Sequence, residues 1–117
     1  MDRVITIDQY PQILTNYLRK LADERNTALG NTFEYQVIAD VPGGHFQLIC
    51  MGWSGYKFIY QVLIHFDLKP NGKVWVQQNN TEILLDKDLG ELGIAKTNIV
   101  PGFRPEGMRE MGGFAVG

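Results

Sequence analysis

The stretch His65-Phe66-Asp67-Leu68-Lys69-Pro70-Asn71-Gly72-Lys73-Val74-Trp75-Val76-Gln77 decides how this chain folds. It reads as an alternating strand, a turn and a second alternating strand. Pro70 presets φ for the second position of a type I turn, and Gly72 can take the positive φ that follows, so the link is a three-residue hairpin loop with a glycine bulge. That loop length sets the register. Leu68 faces Val74 and Phe66 faces Val76, while Asp67 lies beside Trp75 and His65 beside Gln77, because side chains alternate with period two and cross-strand partners share a face. One face is apolar and the other carries His65, Asp67, Trp75 and Gln77. A two-residue loop would shift the pairing and move Trp75 to the apolar face.

Upstream of this ribbon, Phe33, Tyr35, Val37 and Ala39 alternate with Glu34, Gln36, Ile38 and Asp40, the pattern of a half-buried strand. Pro42-Gly43-Gly44 turns the chain, His45 to Trp53 forms a second strand, Gly52 to Gly55 carries the next turn, and Tyr56 to Leu68 is a long third strand. The expectation is a meander of four or more antiparallel strands. Before it, Tyr10, Ile13, Leu14, Tyr17, Leu18 and Leu21 fall on one stripe of an amphipathic helix, with Gln12, Asn16, Arg19 and Lys20 on the other side. Asp8 reads as the N-cap, Pro11 is tolerated in the first turn, and Gly30 stops the chain after a frayed end.

Downstream, Asn79-Asn80 followed by Thr81 and Glu82 reads as a loop closing on a helix N-cap, and Leu85, Leu89 and Leu92 mark a second, weaker helix ending at Gly93, with Gly90 inside it. The segment 94–117 is mostly irregular, with one short turn near Lys96 to Ile99 and a short terminal strand at Phe114-Ala115-Val116. The fold class is therefore α+β. The N-terminal helix covers one sheet face, and the second short helix and irregular C-terminal tail lie at one end or across the other face.

The 117 residues make one domain, spanning 1–117, with enough chain to bury a core without metal or disulfide staples. A formal charge of −2 and scattered basic residues give no cationic field of the kind that nucleic-acid backbones require, which disfavours stand-alone DNA binding. The single cysteine, Cys50, sits in an apolar run and reads as a small buried hydrophobe. Met1 to Asp8 lacks the apolar core of a signal peptide, and no segment is long enough to span a membrane, so the expectation is a soluble cytoplasmic protein.

His45, His65 and Asp67 are the one set that can make a two-histidine, one-carboxylate metal site. Spacing alone does not establish it, and the ordinary reading, in which Asp67 and Gln77 satisfy His65 on a partly covered face, is preferred; no metal, cofactor or catalytic residue is assigned. A hydrolase would use His65 as base with Asp67 orienting it. Ser54, the lone serine, sits in a turn and no nucleophile motif is present. Gly43-Gly44 lacks the following helix and the Lys-Ser/Thr pair of a phosphate loop. Trp53, Tyr56 and Trp75 suit either a core or an interface, with core the default. The residues assigned to a candidate binding surface are His65, Asp67, Trp75, Gln77, Trp53 and His45.

Taken in order, His45, Gly52-Trp53, His65-x-Asp67, Gly72-Lys73-Val74-Trp75-Val76-Gln77, Thr81-Glu82, Leu92-Gly93-Ile94, Asn98-Ile99-Val100, Phe103 and Phe114-Ala115-Val116 closely resemble the XisI-like family, the fdxN element excision controlling factors of cyanobacteria. The resemblance implies a small non-catalytic accessory protein. With an XisH-like partner, such a protein controls removal of a DNA element by a separate site-specific recombinase during heterocyst development, touching nucleic acid only indirectly. An antitoxin-like pairing with a nuclease-like XisH-type protein is the alternative it implies, with direct DNA binding or a small metal-dependent enzyme as weaker ones. Three positions depart from the family pattern: Asn79 stands where Asp is expected, Arg104 where His is expected, and Gly112-Gly113 where a polar pair is expected. An exposed edge strand or apolar patch leaves a homodimer open.

Overall fold

A computed structural model of the chain describes residues 5–117, so Met1 to Val4 of the leader reading lie outside the described residues. After a 3-10 turn at Ile7–Gln9 come helix α1 (Tyr10–Asn26) and strands β1 (Glu34–Asp40), β2 (His45–Ser54), β3 (Lys57–Leu68) and β4 (Val74–Asn79). Helix α2 (Leu85–Glu91), a 3-10 turn at Lys96–Asn98 and strand β5 (Ile99–Pro101) complete the layers. The sheet order is β1-β2-β3-β4-β5. The first four strands form the expected antiparallel meander, and β5 adds to β4 in parallel. A parallel neighbour needs a crossover, which α2 supplies.

The deciding turn is built as read. Gly72 has φ +84°, its N–H donates to the Lys69 carbonyl at 2.9 Å, and Lys69 N–H donates to the Lys73 carbonyl at 3.0 Å. Leu68 pairs with Val74, Asp67 with Trp75 and Phe66 with Val76. Beyond that point the register shifts, and His65 pairs with Gln78 instead of Gln77. Gln77 is the extra residue of a β-bulge, the kind of local twist that re-aims one side chain.

Helix α1 lays Tyr10, Leu14, Tyr17, Leu18 and Ala22 on the sheet face made by Phe46, Leu48, Ile64, Phe66, Val74 and Val76. Full burial of each such leucine stabilises the fold by about 1.5–3 kcal/mol. Asp8 is not the N-cap. It lies inside the 3-10 turn, and the turn is closed by Thr6, whose N–H donates to Gln9 Oε1 at 2.9 Å while its hydroxyl reaches the Asp8 carboxylate. At the other end the Thr27 hydroxyl donates to the Asp23 carbonyl at 2.7 Å, ending the helix before Gly30.

Thr81 does not cap α2 either. Asn79 Oδ1 accepts the Thr81 N–H at 3.0 Å, and Thr81 Oγ1 accepts the Ile83 N–H at 3.1 Å, so these groups are spent on turns before the helix begins after Leu84. The side-chain oxygens of Asn and Thr serve local turns as readily as helix ends. Helix α2 does not cross to the opposite sheet face. Leu85, Leu89 and Ile94 join the cluster that holds α1, and Tyr17 Oη donates to Asp88 Oδ2 at 2.6 Å, so both helices share one sheet face. Burial, and then the bond to Asp88, push the Tyr17 phenol well above its ordinary range.

The tail wraps round the β5 edge. Phe114 packs against the core, whereas Arg109 lies over the Trp75 ring at 4.8 Å on the opposite face. No terminal strand forms at Phe114-Ala115-Val116; a single bond, Ala115 N–H to the Ile99 carbonyl at 2.9 Å, ties it to the sheet. On the far rim, Asn26 plays a similar part. Its side-chain amide donates to the Tyr35 carbonyl at 2.9 Å and accepts the Tyr35 N–H at 2.8 Å, occupying outward backbone groups of β1.

The core reading of Trp53 and Tyr56 is corrected. Burial along β2 stops after Cys50, and the β2–β3 hairpin projects past the helices, leaving Trp53 64% and Tyr56 103% exposed. Trp53 rests on its cross-strand neighbour Phe58, with ring centroids 5.2 Å apart. Cys50 is buried as expected, and burial raises its thiol pKa.

Candidate functional site

The antiparallel register of β2 with β3 places His45 opposite Asp67 and Gln47 opposite His65. Since cross-strand partners share a face, those four side chains project from the side away from α1, next to Trp75 and Gln77 of β4. Sequence alone left the register of His45 open. The Asp40–His45 turn fixes it, with Gly44 N–H donating to the Asp40 carbonyl at 2.8 Å and the Gly44 carbonyl accepting Leu68 N–H at 2.8 Å.

Asp67 is the hub. Its Oδ1 lies 2.7 Å from His45 Nδ1 and 2.7 Å from His65 Nε2, and its Oδ2 accepts from Gln77 Nε2 at 3.0 Å. His65 Nδ1 lies 2.8 Å from Gln47 Nε2. The Asp67 carboxylate can only accept, so a proton of His65 sits on Nε2, directed at Asp67. His45 likewise donates from Nδ1, and its other nitrogen is open to solvent, the side chain being 55% exposed. The two rings stand edge to face, 77° apart. Burial works against ionisation of Asp67, but the hydrogen bonds from His45, His65 and Gln77 outweigh it and bring the carboxyl down to about 2. The carboxylate is thus charged near neutral pH.

The expected pairing of His65 with Gln77 is replaced by a different division of labour. Gln77, swung by the bulge, serves Asp67, and Gln47 serves His65. Gln47 carried no signal in the sequence because its place depends on the β2 register. Trp75 is half-buried between two cations, with Arg109 at 4.8 Å and Lys69 at 5.7 Å from its ring. Arg109 is itself held by the Arg104 and Val116 carbonyls, at 3.1 and 3.2 Å. Gly102 sits where a Cβ would stand 2.5 Å from Gln77 Oε1 and 2.9 Å from Trp75 Cε3. The close approach of the tail to the site depends on that missing carbon.

Trp53 stands apart from the other candidates. It lies eight residues along β2 from His45, about 26 Å away in an extended strand, so the six candidates form a compact five-residue group and a separate aromatic tip. Among the described residues, His45, His65 and Asp67 are the one group with metal-ligand geometry, each offering a donor atom within 4.8 Å of the others. A serine or thiol nucleophile is missing from this group, and Cys50 is directed into the core side of the sheet beside its partner Tyr35. The arrangement presents imidazole, indole and amide groups around one fixed negative charge.

A family model described as XisI protein matches residues 1–116. Two solved structures from Anabaena variabilis are similar to the chain. A XisI-like protein is 29% identical with a TM-score of 0.84, the alignment covering 96% of this chain and 100% of that one. An fdxN element excision controlling factor XisI is 22% identical with a TM-score of 0.77, covering 95% and 98%, and shares the fold. No match was found among curated proteins.

Proposed function

The chain belongs to the XisI family, and from that premise we propose that it is a non-catalytic accessory protein acting with an XisH-like partner in the control of site-specific DNA excision. The family match along residues 1–116 is the observation that carries this reading. The solved relative described as an excision controlling factor supports it at the level of fold. The site is consistent with binding in preference to turnover. Its histidines are both engaged with one carboxylate that is held ionised, and no nucleophile stands beside them.

The partner would meet the face formed by His45, His65, Asp67, Trp75 and Gln77, where a half-buried indole and directional polar groups combine as they do at interface hot spots. With a net charge of −2, contact with DNA would run through the partner and the recombinase. No helix among the described residues is long and apolar enough to cross a membrane, and the cytoplasm is the compartment that the role requires.

Co-expression with an XisH-like protein tests the proposal. Co-elution in moderate salt is expected, and it should be lost on Trp75→Ala. Separate elution of two folded proteins would remove the reading. Salt-sensitive retention of the lone chain on duplex DNA would favour direct DNA binding instead.

A further inference from the structure

We propose that His45, His65 and Asp67 form a three-ligand site for one divalent transition ion of the zinc class, with a remaining coordination position open to solvent. This goes beyond the partner-binding reading and does not depend on it.

Two imidazoles and a carboxylate, drawn from adjacent strands, converge on a single oxygen: Asp67 Oδ1 is 2.7 Å from both His45 Nδ1 and His65 Nε2. A donor atom from each residue lies within 4.8 Å of the others. Around a tetrahedral ion with bonds of about 2.1 Å, donors stand about 3.4 Å apart, so each imidazole nitrogen has to move about 0.7 Å away from the Asp67 oxygen to admit one. His45, at the start of β2 and more than half exposed, has the freedom to make that adjustment.

Partners for the far atoms of the ligands stand behind them. Gln47 holds the far nitrogen of His65 at 2.8 Å, and Gln77 holds the second Asp67 oxygen at 3.0 Å, the outer contacts that orient ligands at metal centres. Coordination displaces the protons on His65 Nε2 and His45 Nδ1, to the other ring nitrogen or to solvent, and the Gln47 amide turns so that its Oε1 accepts from His65 Nδ1. Two nitrogens and one oxygen match zinc, nickel or copper, and they do not match magnesium or calcium, which take oxygen ligands. Three protein ligands leave a position for water or for a side chain from another molecule.

The test uses untagged protein stripped with chelator. Calorimetric titration with Zn2+ is expected to give one equivalent bound. Co2+ should produce visible absorption bands that Zn2+ abolishes and Mg2+ does not. His45→Gln, at a side chain more than half exposed, should weaken zinc binding at least about tenfold with an unchanged circular dichroism spectrum. His65→Gln should do the same. Absence of saturable zinc uptake, or uptake that His45→Gln leaves unchanged, overturns the proposal.

Discussion

Asp67 Oδ1 sits 2.7 Å from His65 Nε2, two residues back on the same strand, and that contact fixes the ring's proton on the side facing the carboxylate. The folded carboxyl titrates at about 2 against an ordinary 3.8. A depressed value stabilises the fold above the unfolded pKa, and the contribution disappears as pH falls through the folded one. About 2 kcal/mol should therefore be lost between about pH 5 and pH 2. Urea midpoints for the wild type and Asp67→Asn should differ at pH 6 and converge in acid. A gap that persists unchanged at pH 2 contradicts this account.

Two glycines should respond to alanine with opposite signs. Gly102→Ala places a methyl group against Trp75 and Gln77 and should cost about 1–3 kcal/mol, with a change in tryptophan emission. Gly90→Ala falls in open space inside α2 and should stabilise the protein by about 0.5–1 kcal/mol. Thermal denaturation of both variants checks the pair, and equal shifts would mean that the tail does not lie against the indole.

Tyr17→Phe removes the hydroxyl that ties α1 to α2 through Asp88. Because Asp88 is only half-buried and can turn to water, the expected loss is about 1 kcal/mol, read from the urea midpoint. Faster amide exchange confined to residues 85–91 should accompany it.

Trp53→Ser should change stability by no more than about 1 kcal/mol, since the side chain is largely exposed and its ring partner is Phe58. If the partner uses only the Asp67 face, this variant keeps its partner while Trp75→Ala loses it. Pull-down with both variants separates the two ends of the molecule.

The meander, its deciding turn and the grouping around Asp67 were legible because Pro70 and Gly72 permit one loop length and alternation does the rest. What lay hidden has identifiable causes. The Gln77 bulge comes from twist, which leaves no mark in an alternating pattern. Gln47 and His45 gained meaning only when a neighbouring strand's register was known. Strand β5 is three residues long, ends in proline and exists because α2 returns the chain to β4, a tertiary effect. Trp53 and Tyr56 look like core residues to any composition argument, and their exposure reflects a hairpin longer than the helices beneath it.

Asn26 at β1 and Ala115 at β5 have a joint consequence for encounters with other molecules. Addition of a foreign strand requires an uninterrupted row of free main-chain groups. The amide of Asn26 breaks that row on one side. On the other, Ala115 takes the Ile99 carbonyl, Arg104 takes that of Pro101, and Pro101 has no N–H to give. A newcomer therefore meets a broken row at the Tyr35 end of β1 and along β5, which shortens the stretch open to main-chain pairing and shifts recognition towards side chains, favouring selectivity over generic stickiness.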